Sequence, residues 1–256
     1  MINFTSKPRY DLSDLIRLVH VLRAPGGCPW DAAQTHLSIR RNFLEEAYEA
    51  CEALDCDDEA MLREELGDVL LQVLFHADIE ADRGRMTIDD IADAECRKLI
   101  FRHPFLFGGE RASWDELKKQ EKGQKTTGEA MQGVARSLPA TWRAEKIQKK
   151  AAKTGFCWES AGQALDKLAE EAQELREAVR DNTNIDEELG DMLFAAVRVA
   201  STLDKDPEQA LHSACEKFIR RFTAMEQSIL AEGRTLEEVS REELLASWDA
   251  QKRNGR

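Results

Sequence analysis

Glu46 and Glu49 lie three residues apart in LEEAYE, and Glu65 and Asp68 lie three apart in EELGD, a spacing that sets both members of each pair on one helix face. Should two such helices pack antiparallel, four carboxylates meet at one level. Left without a cation they would repel one another and take up protons at unusually high pH. A hard divalent ion resolves the conflict. With oxygen donors alone and no adjacent imidazole or thiolate, the set suits Mg²⁺ first and Mn²⁺ second. Acids number 49 of the 256 residues, so one such pairing is within reach of chance and a solvated acidic face would explain it. Repetition is the discriminating feature: the word EELGD returns at Glu187–Asp191, preceded by a second acidic word, EEAQE, at Glu170–Glu174.

The elements that position these acids read as helices. Apolar residues recur at three- and four-residue steps and alternating β-branched runs are sparse, so the chain is expected to be all-α. Periodicity and end signals predict helices over 11–23, 37–54, 58–83, 88–102, 141–154, 161–180, 185–203, 207–231 and 241–252. Leu66, Val69, Leu70 and Val73 form the stripe expected to hold the second acidic helix to its neighbours. Breaks fall at APGGCPW, HPFLFGGE and the polar stretch 122–139. Each half runs Cys and Trp, an acidic word, EELGD, an apolar run, and then a helix with Lys and Arg four apart. The period is about 123–125 residues, which is domain-sized. Two related domains are expected, 1–121 and 140–256, with 122–139 as linker. Gly67 and Gly190 sit inside predicted helices, where glycine costs about 1 kcal/mol relative to alanine, so a bound cluster or a neighbouring helix is expected to come close there.

Composition excludes several classes. A net charge of −13 argues against a nucleic-acid polymer as partner. The start MINFTSKPRYDLSDL has no apolar signal core and no apolar run is long enough to span a membrane, so a cytoplasmic location is expected. The six cysteines form no C-x-x-C pair and are expected to be reduced and mostly buried. Trp30 and Trp158 are expected to pack, and His103, before Pro104, to cap or pack a helix end. A di-iron bundle would need E-x-x-H words, which the chain lacks.

The words GGCPWD, LEEAYE, EELGDVLLQVLFHA, RHPFLFG and GVARSLPATWRAEKIQKKAAKTGFCW resemble the tandem-domain bacterial members of the MazG family over nearly the whole chain. The resemblance implies two tandem MazG-like helical domains, dimerising into helical bundles, and Mg²⁺-dependent cleavage of nucleoside triphosphates between the α- and β-phosphates to give NMP and pyrophosphate. Homodimer formation is thus expected. It implies metal ligands at Glu171, Glu174, Glu188 and Asp191, matched in the first domain by Glu46, Glu49, Glu65 and Asp68. Glu170, and Glu45 in the first domain, would orient or deprotonate the attacking water. Triphosphate or base contacts would come from Lys167, Lys217, Arg221, Trp248 and Lys252, with Lys98 and Arg102 at the positions of Lys217 and Arg221. Related all-α enzymes acting on dUTP or phosphoribosyl-ATP, and a metal-free helical dimer, are the alternative readings.

The halves differ in one respect that bears on activity. Lys167 stands one turn before its acidic word, whereas Arg41 in the first half is one residue out of that register. The helix bearing Trp248 and Lys252 has only Trp114 and Lys118 as loose counterparts. The second domain is therefore expected to be the principal catalytic one.

Overall fold

The computed structural model describes residues 4–110 and 123–254 and, between them, Ser113, Leu117, Gln120 and Glu121; Trp114 and Lys118 lie outside the described residues. The chain forms two compact units, Met1–Lys118 and Lys119–Arg256, and among the described residues there is no β-strand. The first unit holds α1 (Leu12–Arg23), α2 (Pro29–Ala32), α3 (Arg40–Asp55), α4 (Glu59–Asp82) and α5 (Ile88–Arg102), followed by a 3₁₀ turn at Pro104–Leu106. The second holds α6 (Thr127–Gln132), α7 (Ala140–Ala152), α8 (Ala161–Asp181), α9 (Ile185–Thr202), α10 (Pro207–Ala231) and α11 (Arg241–Asn254), with a 3₁₀ turn at Leu236–Glu238.

Local chemistry sets the ends. Asp11 and Asp14 form a reciprocal capping box at the start of α1, and Thr87 with Asp90 does the same for α5. Asp206 caps α10, whose first residue, Pro207, supplies a φ already suited to a helix. Beyond α1, a side chain on Gly27 would stand 2.3 Å from the carbonyl oxygen of Leu22, so only glycine lets the chain fold back there. The helix expected from Leu37 begins instead at Arg40. Thr35 and Ser38 exchange backbone-to-hydroxyl hydrogen bonds of 2.8 and 3.2 Å, holding those residues in a turn. Within the stretch read as a linker, α6 forms on a Thr126–Glu129 capping box and buries Ala130, with Val134 buried just beyond.

Two helical hairpins carry the acids. Three residues join α3 to α4 and three join α8 to α9. Asp57, Asn182 and Asn184 take positive φ of 54, 54 and 46° in these turns, where Asn and Asp are tolerated best among non-glycine residues. So tight a connection makes each pair antiparallel. In the first unit the core gathers Val19, Ile39, Leu74, Phe75 and Ile79, with Leu70 packed on it. That core lies along the later turns of α4, so the earlier turns with Glu65 and Asp68 run past it. Leu66 accordingly is 53% exposed and does not serve the core as expected. In the second unit Met225, Ile229 and Val239 form a cluster between α10 and α11. The Gln148 side-chain amide of α7 donates to the Phe194 carbonyl of α9 at 2.7 Å. The cysteines depart from expectation: all six are free thiols, but Cys28 is half-buried and the other five are exposed, Cys51, Cys96 and Cys215 on outward helix faces and Cys56 and Cys157 in the turns that follow helices.

Candidate functional site

Helix α3 aligns Glu46 with Glu49, and α4 brings Glu65 opposite them. One carboxylate oxygen from each lies within 4.8 Å of the others. The second hairpin repeats the arrangement: oxygens of Glu171 and Glu174 from α8 and Glu188 from α9 also lie within 4.8 Å of one another. Glu171 is buried, Glu46, Glu65, Glu188 and Asp68 are half-buried, and Glu49, Glu174 and Asp191 are exposed. Asp68 and Asp191 stand outside the two trios.

Crowding of like charges has the expected electrostatic result. Burial, then the charges of Asp68 and Glu49, push the Glu46 carboxyl above its ordinary pKa. Burial and the Glu49 charge do the same for Glu65. A hydrogen bond with Glu171, followed by burial, raises Glu174, with Lys167 opposing. Converging carboxylates shift upward in this way, and a bound cation would oppose the shift.

The neighbouring cations differ between the units. The Lys167 ammonium lies 2.8 Å from both Glu170 Oε1 and Glu171 Oε1, and these bonds, that to Glu170 first, raise its pKa above the usual lysine value. Arg41 Nε reaches Glu45 Oε1 at 2.7 Å. On α5, Lys98 pairs with Glu95 and Arg102 is half-buried. On α10, Lys217 is exposed and Arg221 half-buried, one turn apart, and neither forms an ion pair or hydrogen bond with another described residue. Trp248 packs on Phe218 with ring centroids 5.0 Å apart and joins the α10–α11 cluster, while Lys252 bonds Asp249 at 2.9 Å.

A model of the MazG nucleotide pyrophosphohydrolase domain matches residues 34–107 and again 160–224, the two segments that contain the hairpins. The chain belongs to the MazG family. It is 41% identical over 243 residues to the nucleoside triphosphate pyrophosphohydrolase/pyrophosphatase MazG of Thermotoga maritima, covering 93% of this chain and 94% of that protein. It is 40% identical over 252 residues to a nucleoside triphosphate pyrophosphohydrolase of Escherichia coli K12, covering 93% and 96% of the two.

Other features of the MazG repeats answer particular expectations. Among the described residues, a side chain added at Gly67 or Gly190 would meet nothing within 4 Å, so no described helix of the same unit approaches either glycine. Trp158 packs under Arg198, whose guanidinium carbon is 5.5 Å from the ring centroid, but Trp30 is 61% exposed rather than packed. His103 ends α5 with its Nδ1 2.7 Å from the Leu99 carbonyl oxygen, a capping role.

Two clusters in the first unit escaped the sequence reading. His20, Asp78 and Asp82 converge between α1 and α4, but Arg23 already spans the two aspartates at 2.8 and 2.6 Å, so the group is an ion-pair clamp. His36 and His76 meet through their Nδ1 atoms at 2.7 Å, and His36 Nε2 lies 2.5 Å from Glu80 Oε1. The only sequence signals were a His and an Arg three apart on α1 facing two aspartates four apart on α4, and nothing marked the histidine pair.

Proposed function

We propose that the second MazG repeat hydrolyses nucleoside triphosphates between the α- and β-phosphates, releasing NMP and pyrophosphate, with Glu171, Glu174, Glu188 and Asp191 holding Mg²⁺ or, second, Mn²⁺. The observation that carries this reading is the trio of converging carboxylates, all oxygen donors, in a unit whose α10 displays the uncommitted cations Lys217 and Arg221. The donor set fits a hard divalent ion. When bound, that ion would polarise a phosphoryl oxygen and lower the pKa of coordinated water.

The chain's own residues do the rest. Lys217 and Arg221, one turn apart, hold the triphosphate electrostatically, and the guanidinium adds paired donors suited to phosphate oxygens. Glu170, exposed beside the trio, orients the attacking water and accepts its proton. Trp248, with its indole against Phe218, offers a face for the base, and Lys252 lies 5.9 Å from that ring. Phosphoryl transfer asks for positioning and charge neutralisation more than covalent chemistry, and these groups supply both.

The first repeat carries the matching set, Glu46, Glu49, Glu65 and Asp68 with Glu45 in the base position and Lys98 and Arg102 on α5, as a weaker site. Its Lys98 is tied to Glu95. Separate Glu174→Ala and Glu49→Ala variants assayed for pyrophosphate release test the asymmetry. The larger loss is expected from Glu174→Ala; equal losses would remove the distinction.

The active form is a homodimer in this reading. Leu44, Tyr48 and Leu66 in the first unit, and Leu189, Leu193 and Phe194 in the second, each stand at least 40% exposed beside the acidic words. A second copy would cover them. Sedimentation showing a stable monomer at micromolar concentration would count against it. Among the described residues no helix is long and apolar enough to cross a membrane.

A further inference from the structure

The acidic words of the two units differ in what neutralises them. On α8, Lys167 precedes Glu170 by three residues and Glu171 by four, so its ammonium reaches both carboxylates at 2.8 Å. The Glu171 side chain is only 10% exposed, and a carboxylate so far removed from water requires compensation. Lys167 provides it. On α3, Arg41 reaches Glu45 at 2.7 Å, and among the described residues no cation pairs with Glu46, Glu49 or Glu65. One hairpin therefore contains a resident counter-cation at a trio carboxylate and the other does not.

Glu171 belongs at once to the Lys167 pair and to the trio that would hold the metal. A divalent ion and an ammonium compete for this one carboxylate, and the lysine is the partner able to leave, being a point charge on a flexible four-carbon stem. The swing costs little because the side chain is 31% exposed, with water available along its path. We propose that Lys167 is a placeholder for the metal: it neutralises Glu171 until Mg²⁺ arrives, and the displaced ammonium then turns to the phosphates of the incoming nucleotide. Metal and nucleotide binding are thereby coupled through one side chain, each tightening the other by the same factor. The inference rests on the metal-dependent reading of the second repeat.

Calorimetric titration of Mg²⁺ into the full chain tests it, with Glu49→Ala and Glu65→Ala included so that the first trio does not contribute. Titrations are run with and without a non-hydrolysable nucleoside triphosphate analogue. Adding Lys167→Gln should tighten Mg²⁺ binding in the absence of the analogue by about fivefold, the worth of one partly exposed ion pair. The same change should weaken the analogue at saturating Mg²⁺ by about tenfold. Lys167→Arg, which keeps the charge, should return Mg²⁺ affinity toward the parent value. A lysine that merely supported the helix would leave Mg²⁺ binding unchanged or weaker on substitution. Parent binding with Lys167→Gln no tighter therefore overturns the placeholder role and spares the metal reading. No Mg²⁺ heat from the parent even with the analogue present removes both.

Discussion

Glu46→Gln should stabilise the metal-free protein while Glu171→Gln should not. Oxygens of Glu46, Glu49 and Glu65 lie within 4.8 Å of one another with no cation paired to them among the described residues. Two unit charges at that separation repel by roughly 1 kcal/mol in a water-like dielectric and roughly 3.5 kcal/mol in the environment typical of a protein surface. Glu46 is only half-buried and solvent screens part of the repulsion, so a net gain of about 1 kcal/mol is the expectation. For a unit of this size that raises the melting temperature by about 4 °C. The sign has a pH signature. A carboxyl whose folded pKa is raised contributes stability fully below its unfolded value of 4.5 and loses it as pH rises through the folded value, so the Gln variant should gain more at pH 8 than at pH 5. Glu171 is different because Lys167 already neutralises it, and Glu171→Gln deprives that lysine of a partner without removing net repulsion. Thermal melts in EDTA at both pH values decide the matter. Saturating Mg²⁺ should then reverse the Glu46→Gln ranking, since an ion at a hundred times its Kd stabilises the unsubstituted protein by about 2.7 kcal/mol. A lower melting temperature for Glu46→Gln in EDTA at pH 8, or an equal gain from Glu171→Gln, would refute the reasoning.

Three further outcomes are expected. The His36–His76 contact at 2.7 Å has room for one proton, and burial, then the His36 charge, hold His76 below its ordinary 6.5, so its stabilisation is full above pH 6.5 and is lost as pH falls from there toward the lowered value. His76→Gln should flatten that acid-side loss in melting curves; an unchanged slope would show that the pair is not its source. Glu80 keeps its charge throughout, with a pKa of about 2 set by hydrogen bonds from His36 and Arg85. Arg23→Met should destabilise the chain in urea unfolding by leaving Asp78 only His20 as a partner, and adding Asp78→Leu should recover most of the loss; no recovery would show that the loss is one of packing alone. Gly67→Ala and Gly190→Ala should each stabilise the metal-free chain by about 1 kcal/mol, since a Cβ there meets open space; a loss would mean that another copy of the chain occupies that space.

The helices were legible because strong caps and long amphipathic periods agree. Each helix read from periodicity is present, with ends within about three residues. The six-residue α6 escaped because one and a half turns carry no readable period, although its Thr126–Glu129 box was in plain view. What the chain could not reveal is which apolar face belongs to its own core. Leu66 is exposed because periodicity reports a buried face without saying whether the same unit buries it, and Trp30 and five cysteines are exposed because residue type alone does not fix burial. Of each four-acid set, the members spaced three apart on α3 and α8 meet as read, but Asp68 and Asp191 stand outside the trios. Spacing fixes the face of a helix, whereas convergence across two helices also depends on their axial offset.

That distinction explains how two copies of one hairpin diverge electrostatically through a single residue of register. A helical cation reaches carboxylates three and four residues on, so Lys167 meets both Glu170 and Glu171 whereas Arg41 meets Glu45 alone. The backbone, the turn length and the acidic words are alike in both hairpins. Moving the cation one position moves the neutralised carboxylate from the trio to its neighbour in the base position. In the second repeat a trio carboxylate is compensated and the base candidate Glu170 shares the same lysine, leaving both to be released by one displacement. In the first, the trio retains its mutual repulsion and the base candidate is bound to an arginine whose charge deprotonation cannot remove. An Arg41→Ala, Arg40→Ala, Asn42→Lys variant, which places a lysine four residues before Glu46, should therefore suppress the stability gain of Glu46→Gln in EDTA. Persistence of the full gain in that background would show that register is not what separates the two sites.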